Sequence, residues 1–192
     1  MAQQQGQVQR LLEALRTSDN NTRKAAERTL AAWQQNGNVA VLFFKLACQP
    51  YSATTKEEIK AKKAIGQVHR VAQNRLMALI ICTKIVSKQW ITGPDDKPTF
   101  SNEMKNVVRS EMLKVLLQGC DGDVQIRTQV AVVIGQIAQF DWPDRWPALF
   151  PTLFKALGAA VAADQSDAAH QTMLSSLRCL SIIAEDICDE TL

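Results

Sequence analysis

The chain has 192 residues, 46% hydrophobic and 21% charged, with a net charge of +3. That is long enough to bury roughly two thirds of the unfolded surface, and too weakly basic, without a lysine run or an arginine-rich tail, to call for nucleic acid. Five cysteines, Cys48, Cys82, Cys120, Cys179 and Cys188, show no CxxC spacing and sit mostly among apolar residues, which predicts reduced, buried thiols and the cytosol or nucleus.

The start, Met1 to Gln5, has neither a basic nor an apolar signal region, so no secretory leader is expected. The most hydrophobic run, Leu76 to Val86, is far shorter than the roughly 20 residues of a membrane span and contains Lys84.

Val8, Leu11, Leu12 and Leu15 recur at helical spacing, and Ser18-Asp19-Asn20-Asn21 then offers turn and cap residues. The next helix, Thr22 to Gln35, carries Ala26, Leu30 and Trp33 on one face and Lys24, Arg28 and Gln35 on the other, and Asn36-Gly37 closes it. Val39 to Cys48 is an apolar helix halted by Pro50. Thr55-Lys56-Glu57-Glu58 has capping-box form, and Lys56, Lys60, Lys62, Lys63 and Arg70 make this the most basic stretch. Glu57 and Glu58 dilute its charge and no aromatic interleaves it, so a solvated insertion that Gly66 interrupts is expected rather than a nucleic-acid contact.

From Gly66 to Trp90 one face reads Val68, Ala72, Leu76, Leu79, Thr83, Val86 and Trp90, and the opposite one Arg70, Asn74, Met77, Ile81, Lys84 and Lys88. Ile91 to Phe100, with Gly93, Pro94 and Pro98, reads as a loop, and Ser101 as the cap of a helix over Asn102 to Gln118. Gly119 and Asp121-Gly122-Asp123 turn the chain into the most apolar helix, with Val130, Ala131, Val133, Ile134, Ile137 and Ala138; its stripe is too wide for one-sided burial. Pro143 and Pro147 cannot both lie inside one helix, so Phe140 to Pro147 is a stiff corner with Trp142 and Trp146 wedged between helices. A helix follows from Ala148 to about Val161. After Asp164 to Asp167 the last helix, Ala168 to Cys188, shows an apolar face of Ala169, Met173, Leu177, Leu180, Ala184 and Ile187.

These segments make four antiparallel pairs, over about 5–35, 38–90, 102–140 and 145–188, with no period-two stretch that would form a sheet. Two of the three intervals between pairs approach the roughly 40 residues of a HEAT repeat. The expected fold is therefore all-α, a right-handed α-solenoid of HEAT repeats, with the second helix of each pair lining the concave side.

Enzyme chemistry has little to work with. His69 and His170 lie far apart and neither neighbours a cysteine at metal-ligand spacing. No phosphate-binding glycine loop occurs, and Asp141 and Asp144 read as helix caps rather than as a catalytic pair. No catalytic, metal or cofactor residue is assigned, and the chain reads as a binding scaffold.

The helix bearing Ile126-Arg127, ending in Gln139-Phe140-Asp141-Trp142-Pro143 and followed by Arg145-Trp146-Pro147-Ala148-Leu149-Phe150, resembles the amino-terminal region of the importin-beta superfamily of nuclear transport receptors. Ala25-Ala26-Glu27 with Leu30 and Trp33, then Arg75 and Lys88-Gln89-Trp90, extend the resemblance in family order, although Cys82-Thr83-Lys84 stands where the family carries Leu-Lys-Asn.

Family members are much longer, so the resemblance implies an amino-terminal piece of a longer solenoid. It implies binding of the small GTPase Ran in its GTP form and of nuclear pore proteins, shuttling between cytoplasm and nucleus, and carriage of protein cargo. In the branch it resembles most, that cargo is basic, such as core histones. An exportin of the same superfamily, or a HEAT scaffold without a transport role, are the alternatives.

For Ran-GTP or cargo the candidate residues are Lys24, Arg28, Arg70, Asn74, Met77, Ile81, Lys84, Lys88, Gln125, Gln136, Arg178 and Ile182. Met77, Ile81 and Ile182 are expected as exposed apolar residues amid charges and amides.

Overall fold

The computed structural model describes residues 2–49, 62–91, 99–118, 123–163 and 166–189, with side chains for 6–49, 70–91, 99–118, 123–163 and 166–185. The capping box at Thr55 to Glu58, Lys56 and Lys60, the side chains of Lys62, Lys63 and His69, the loop prolines Pro94 and Pro98, and the side chain of Ile187 lie outside that description.

The helices are α1 (Ala2–Leu15), α2 (Asn20–Gln34), α3 (Gly37–Ala47), α4 (Lys62–Gln89), α5 (Asn102–Gln118), α6 (Val124–Asp141), α7 (Leu149–Ala162) and α8 (Asp167–Asp189). No strand occurs among the described residues. The fold is all-α, and successive helices pack as the pairs α1/α2, α3/α4, α5/α6 and α7/α8 of a HEAT-like solenoid.

Short polar side chains start several of the helices. The Asp19 carboxylate accepts from the Thr22 amide at 2.9 Å, and Asp123 accepts from the amides of Gln125 and Ile126 at 2.9 and 3.2 Å. Ser101 accepts from Met104 at 3.3 Å and Ser166 from Ala169 at 3.2 Å. Each of these side chains satisfies one or two of the amides that a first helical turn leaves without a partner. Gly66 does not interrupt the chain, because α4 starts at Lys62 and runs through it. Glycine inside a helix costs about 1 kcal/mol relative to alanine, a penalty that the burial of α4 against α3 and α6 offsets.

Between pairs, α4, α6 and α8 stack side by side, and α8 also reaches α5. Ala26 is the one buried residue of α2, which packs mainly on α1 and α3. The other second helices are covered on several sides, which shifts their faces from those that periodicity suggests. Among the described side chains of α8 the buried ones are Ser175, Ser176, Cys179, Ile182 and Ile183, while Leu177 is 46% exposed. Small side chains there let α6 approach closely, so the expected Leu177 face is not the core face.

The second and third pairs interlock through aromatic rings. Phe100, just before α5, packs edge-on against Phe44 of α3 with centroids 6.1 Å apart, and against Trp90 at 5.6 Å. Gly37 lets this happen: a Cβ built there would lie 1.8 Å from the Thr99 carbonyl oxygen, so the start of α3 touches backbone that any side chain would displace.

After α6 the corner departs from expectation at one tryptophan. Trp146 is buried, 6% exposed, but Trp142 is 41% exposed. The Trp142 indole stacks edge-on with Phe150 at 5.0 Å on the outside of α7, because the extended backbone at Trp142 (ψ 142°) turns the chain away from the core. Only Trp146 is a wedge.

Candidate partner-binding face

Three cationic candidates, Arg70, Lys84 and Lys88, stand exposed on α4. Lys24 and Arg28 are exposed on α2, Gln125 on α6 and Arg178 on α8. Met77 is half-buried against the core. Gln136 is half-buried, and its side-chain oxygen is buried without a protein partner.

Asn74, Ile81 and Ile182 are not on the surface. Asn74 is 7% exposed and accepts from the Arg16 guanidinium at 3.0 Å, which ties the end of α1 to α4. Ile81 is 3% and Ile182 8% exposed. Helix α4 is packed by α3 on one side and α6 on the other, so its buried arc, through Ala78, Ile81, Cys82, Ile85 and Val86, exceeds a single stripe. The large apolar residues of α4 that reach solvent are Val71, 45% exposed, and Ile80, 37% exposed, with Ile91 at 48% just past the helix. The spacing Met77, Ile80, Lys84, Lys88 is as helical as the expected one; wide burial of α4 was the missing signal.

Polar side chains brace the second helices to one another. The Gln129 side-chain amide of α6 donates to the Thr83 hydroxyl of α4 at 2.9 Å, and the Arg127 guanidinium of α6 donates to the side-chain Oε1 of Gln171 in α8. Within the second pair, the Arg75 guanidinium donates to the Ala47 carbonyl at 2.8 Å. The family-like arginines Arg75 and Arg127 thus have structural partners, and both are nearly buried.

The corner is fixed by a carboxylate, Asp141, that accepts side-chain donors from other segments rather than capping a helix. Asp141 is 1% exposed. Its Oδ2 accepts from the Trp90 indole N–H at 2.7 Å and lies 3.0 Å from Nε of Arg109. Arg109 also donates to the Arg145 carbonyl. The Asp141 carbonyl accepts from the amides of Arg145 and Trp146 at 2.7 and 2.8 Å. Lys105 places its ammonium 5.4 Å above the Trp90 ring, and burial pushes that ammonium below its ordinary 10.5, with Asp141 acting the other way. Asp144, the second expected cap, is exposed.

Helix α4 contains no Asp or Glu, and the only one in α6 is the buried Asp141. The solvent side of these two adjacent helices therefore carries cations and amides but no carboxylate. Nothing in this arrangement resembles a reaction centre: His170 is exposed at the start of α8, and no three His, Cys, Asp or Glu side chains gather as metal ligands among the described residues. Among the same residues, no helix is long and apolar enough to cross a membrane.

Residues 123–192 match the family described as exportin 1-like protein, a segment that starts at the cap of α6 and takes in the corner, α7 and α8. The match covers less than half of the chain and supports the importin-beta superfamily resemblance over that segment. No curated protein matches the sequence.

Proposed function

We propose that this chain is the amino-terminal HEAT-repeat domain of a nuclear transport receptor. In this reading it binds Ran in its GTP form through the solvent side of its second helices, and takes part in moving protein cargo between cytoplasm and nucleus. The observation that carries the reading is the exportin 1-like match over 123–192, which coincides with the helix, corner and helix whose residues also resemble the importin-beta superfamily. The cation-bearing, carboxylate-free side of α4 and α6 adds a surface suited to a protein partner.

Direction is the second question. The family match is compatible with either direction; Asp141 to Phe150 and the stretch from Leu177 to Leu192 look most like importin nine, a carrier of core histones, and the import reading with basic cargo rests on that resemblance alone. Contact with nuclear pore proteins is part of the same proposal. The experiment is a pull-down of the 192-residue chain with Ran loaded with GTP or with GDP. Capture of the GTP form over the GDP form is expected; equal capture, or none, overturns the GTPase reading and leaves a non-transport HEAT scaffold.

A further inference from the structure

We infer that the solvent side of α4, continued by α6, docks an acidic amphipathic helix, a segment in which carboxylates alternate with apolar side chains at helical spacing. The inference deepens the proposed use of this face and rests on it only for where partners dock; it does not need the GTPase.

Charge and apolarity are combined along one line. Arg70, Met77, Ile80, Lys84 and Lys88 follow one another at intervals that keep them on one face of α4, and the exposed Ile91 extends the line past the helix. From Arg70 to Lys88 that line is about 27 Å long at 1.5 Å per residue, the length of a partner helix of about five turns. Ordinary surfaces intersperse both signs of charge. Here the 28 residues of α4 contain no carboxylate, and the only carboxylate of α6 is turned inward to Trp90 and Arg109. The lysines accordingly lack an acidic counterpart on either helix, and a partner would supply it.

The apolar members decide which kind of anion fits. A nucleic acid would use Arg70, Lys84 and Lys88 but has no use for Met77 and Ile80, and this line offers no aromatic ring on which a base could stack. A partner with leucines and glutamates on one face uses both halves of the pattern, burying Ile80 while pairing the lysines. Helix α6 adds Val132 and Gln136, both half-buried and uncharged; Val132 widens the apolar floor, and neither residue adds a repelling charge.

The test uses two synthetic helical peptides of about 20 residues with leucines at the same spacing, one with glutamates between them and one with lysines. Each is titrated into the full chain by fluorescence anisotropy. The glutamate peptide should bind and the lysine peptide should not, and the combined Lys84→Glu and Lys88→Glu variant should weaken binding by about tenfold or more. Ile80→Ser should weaken it too, with an unchanged circular dichroism spectrum. Equal binding of both peptides, an unchanged affinity in the charge-reversed variant, or preference for a single-stranded RNA over the glutamate peptide would overturn the inference. Ran-GTP captured while neither peptide binds would overturn this inference alone; the glutamate peptide bound while Ran-GTP is not captured would support it and overturn the GTPase reading alone.

Discussion

The Trp90 indole donates to the Asp141 carboxylate across 2.7 Å, joining the residue just past α4 to the last residue of α6. The same oxygen is paired with Arg109 of α5, so one buried carboxylate ties three helices of two successive pairs. Removing one partner of a buried ion pair leaves the other charged and desolvated, at a cost of roughly 3–5 kcal/mol. Asp141→Ala should therefore lower the unfolding free energy measured in urea by that order, and Asp141→Asn by less, since an amide oxygen can still accept from Trp90. A midpoint for Asp141→Ala within the range of surface substitutions would show that the network does not hold the pairs together.

Two tryptophans four residues apart should behave oppositely. Trp146→Ala empties a buried site and should cost roughly 3–5 kcal/mol. Trp142→Ala removes an exposed ring that touches Phe150 and should cost only about 0.5–1.5 kcal/mol, the worth of an aromatic pair. Similar losses in chemical denaturation of the two variants would contradict the outward placement of Trp142.

Gly37→Ala tests the closeness of α3 to the backbone before α5. The added Cβ would meet the Thr99 carbonyl oxygen at 1.8 Å, and backbone, unlike a flexible side chain, gives way only by moving the segment. Overpacking of this kind costs about 1–3 kcal/mol. Because Phe100 follows directly and packs on Trp90, the tryptophan emission should also shift to the red; an unperturbed spectrum and midpoint would mean that the two segments are not in contact.

Helix positions were legible in the sequence because the caps Asp19, Ser101 and Asp123 and the apolar runs are local signals. The choice of face was less so. Periodicity fixes a stripe only when one side of a helix is covered, whereas α4 and α8 are packed from two or more directions, which buried Ile81 and Ile182 and exposed Ile80 and Leu177. Asp141 could not be recognised as a buried hub from its neighbours in sequence, since its partners Trp90 and Arg109 lie 51 and 32 residues away (141 − 90 and 141 − 109). The outward turn of Trp142 depends on backbone angles that Trp-Pro alone does not set.

Thiol chemistry gives a pH-dependent check. Burial, the largest cause at each site, raises the Cys48 and Cys179 thiols from 9.0 to about 12 and the Cys82 thiol well above 9.0; at Cys48 the Glu111 carboxylate adds to it. A raised folded-state value favours the protonated form, so its contribution to stability is full below the unfolded thiol's range and is lost as pH rises toward the folded value. Stability should fall from about pH 9 upward, and iodoacetamide should label these three sites slowly at pH 8 until denaturant is added. Site-resolved mass spectrometry showing rapid native labelling of Cys82 would overturn its burial.

The working surface is tested by charge reversal at Lys84 and Lys88 together. Both are exposed on α4, clear of the Asp141 network and of the Asn74 contact with Arg16, so the fold should survive and circular dichroism and the urea midpoint should stay near those of the parent chain. Affinity for Ran-GTP should drop by about 1 to 3 kcal/mol in a calorimetric titration, as expected when interfacial charge pairs are replaced by repulsion, and added salt should narrow the difference by screening. Asn74→Ala serves as the contrast: it removes a buried acceptor from Arg16 and should lower stability with little effect on affinity. If the double reversal left affinity unchanged while neutralising Lys56, Lys60, Lys62 and Lys63 abolished it, the contact would lie in the lysine-rich segment and not on the solvent side of α4.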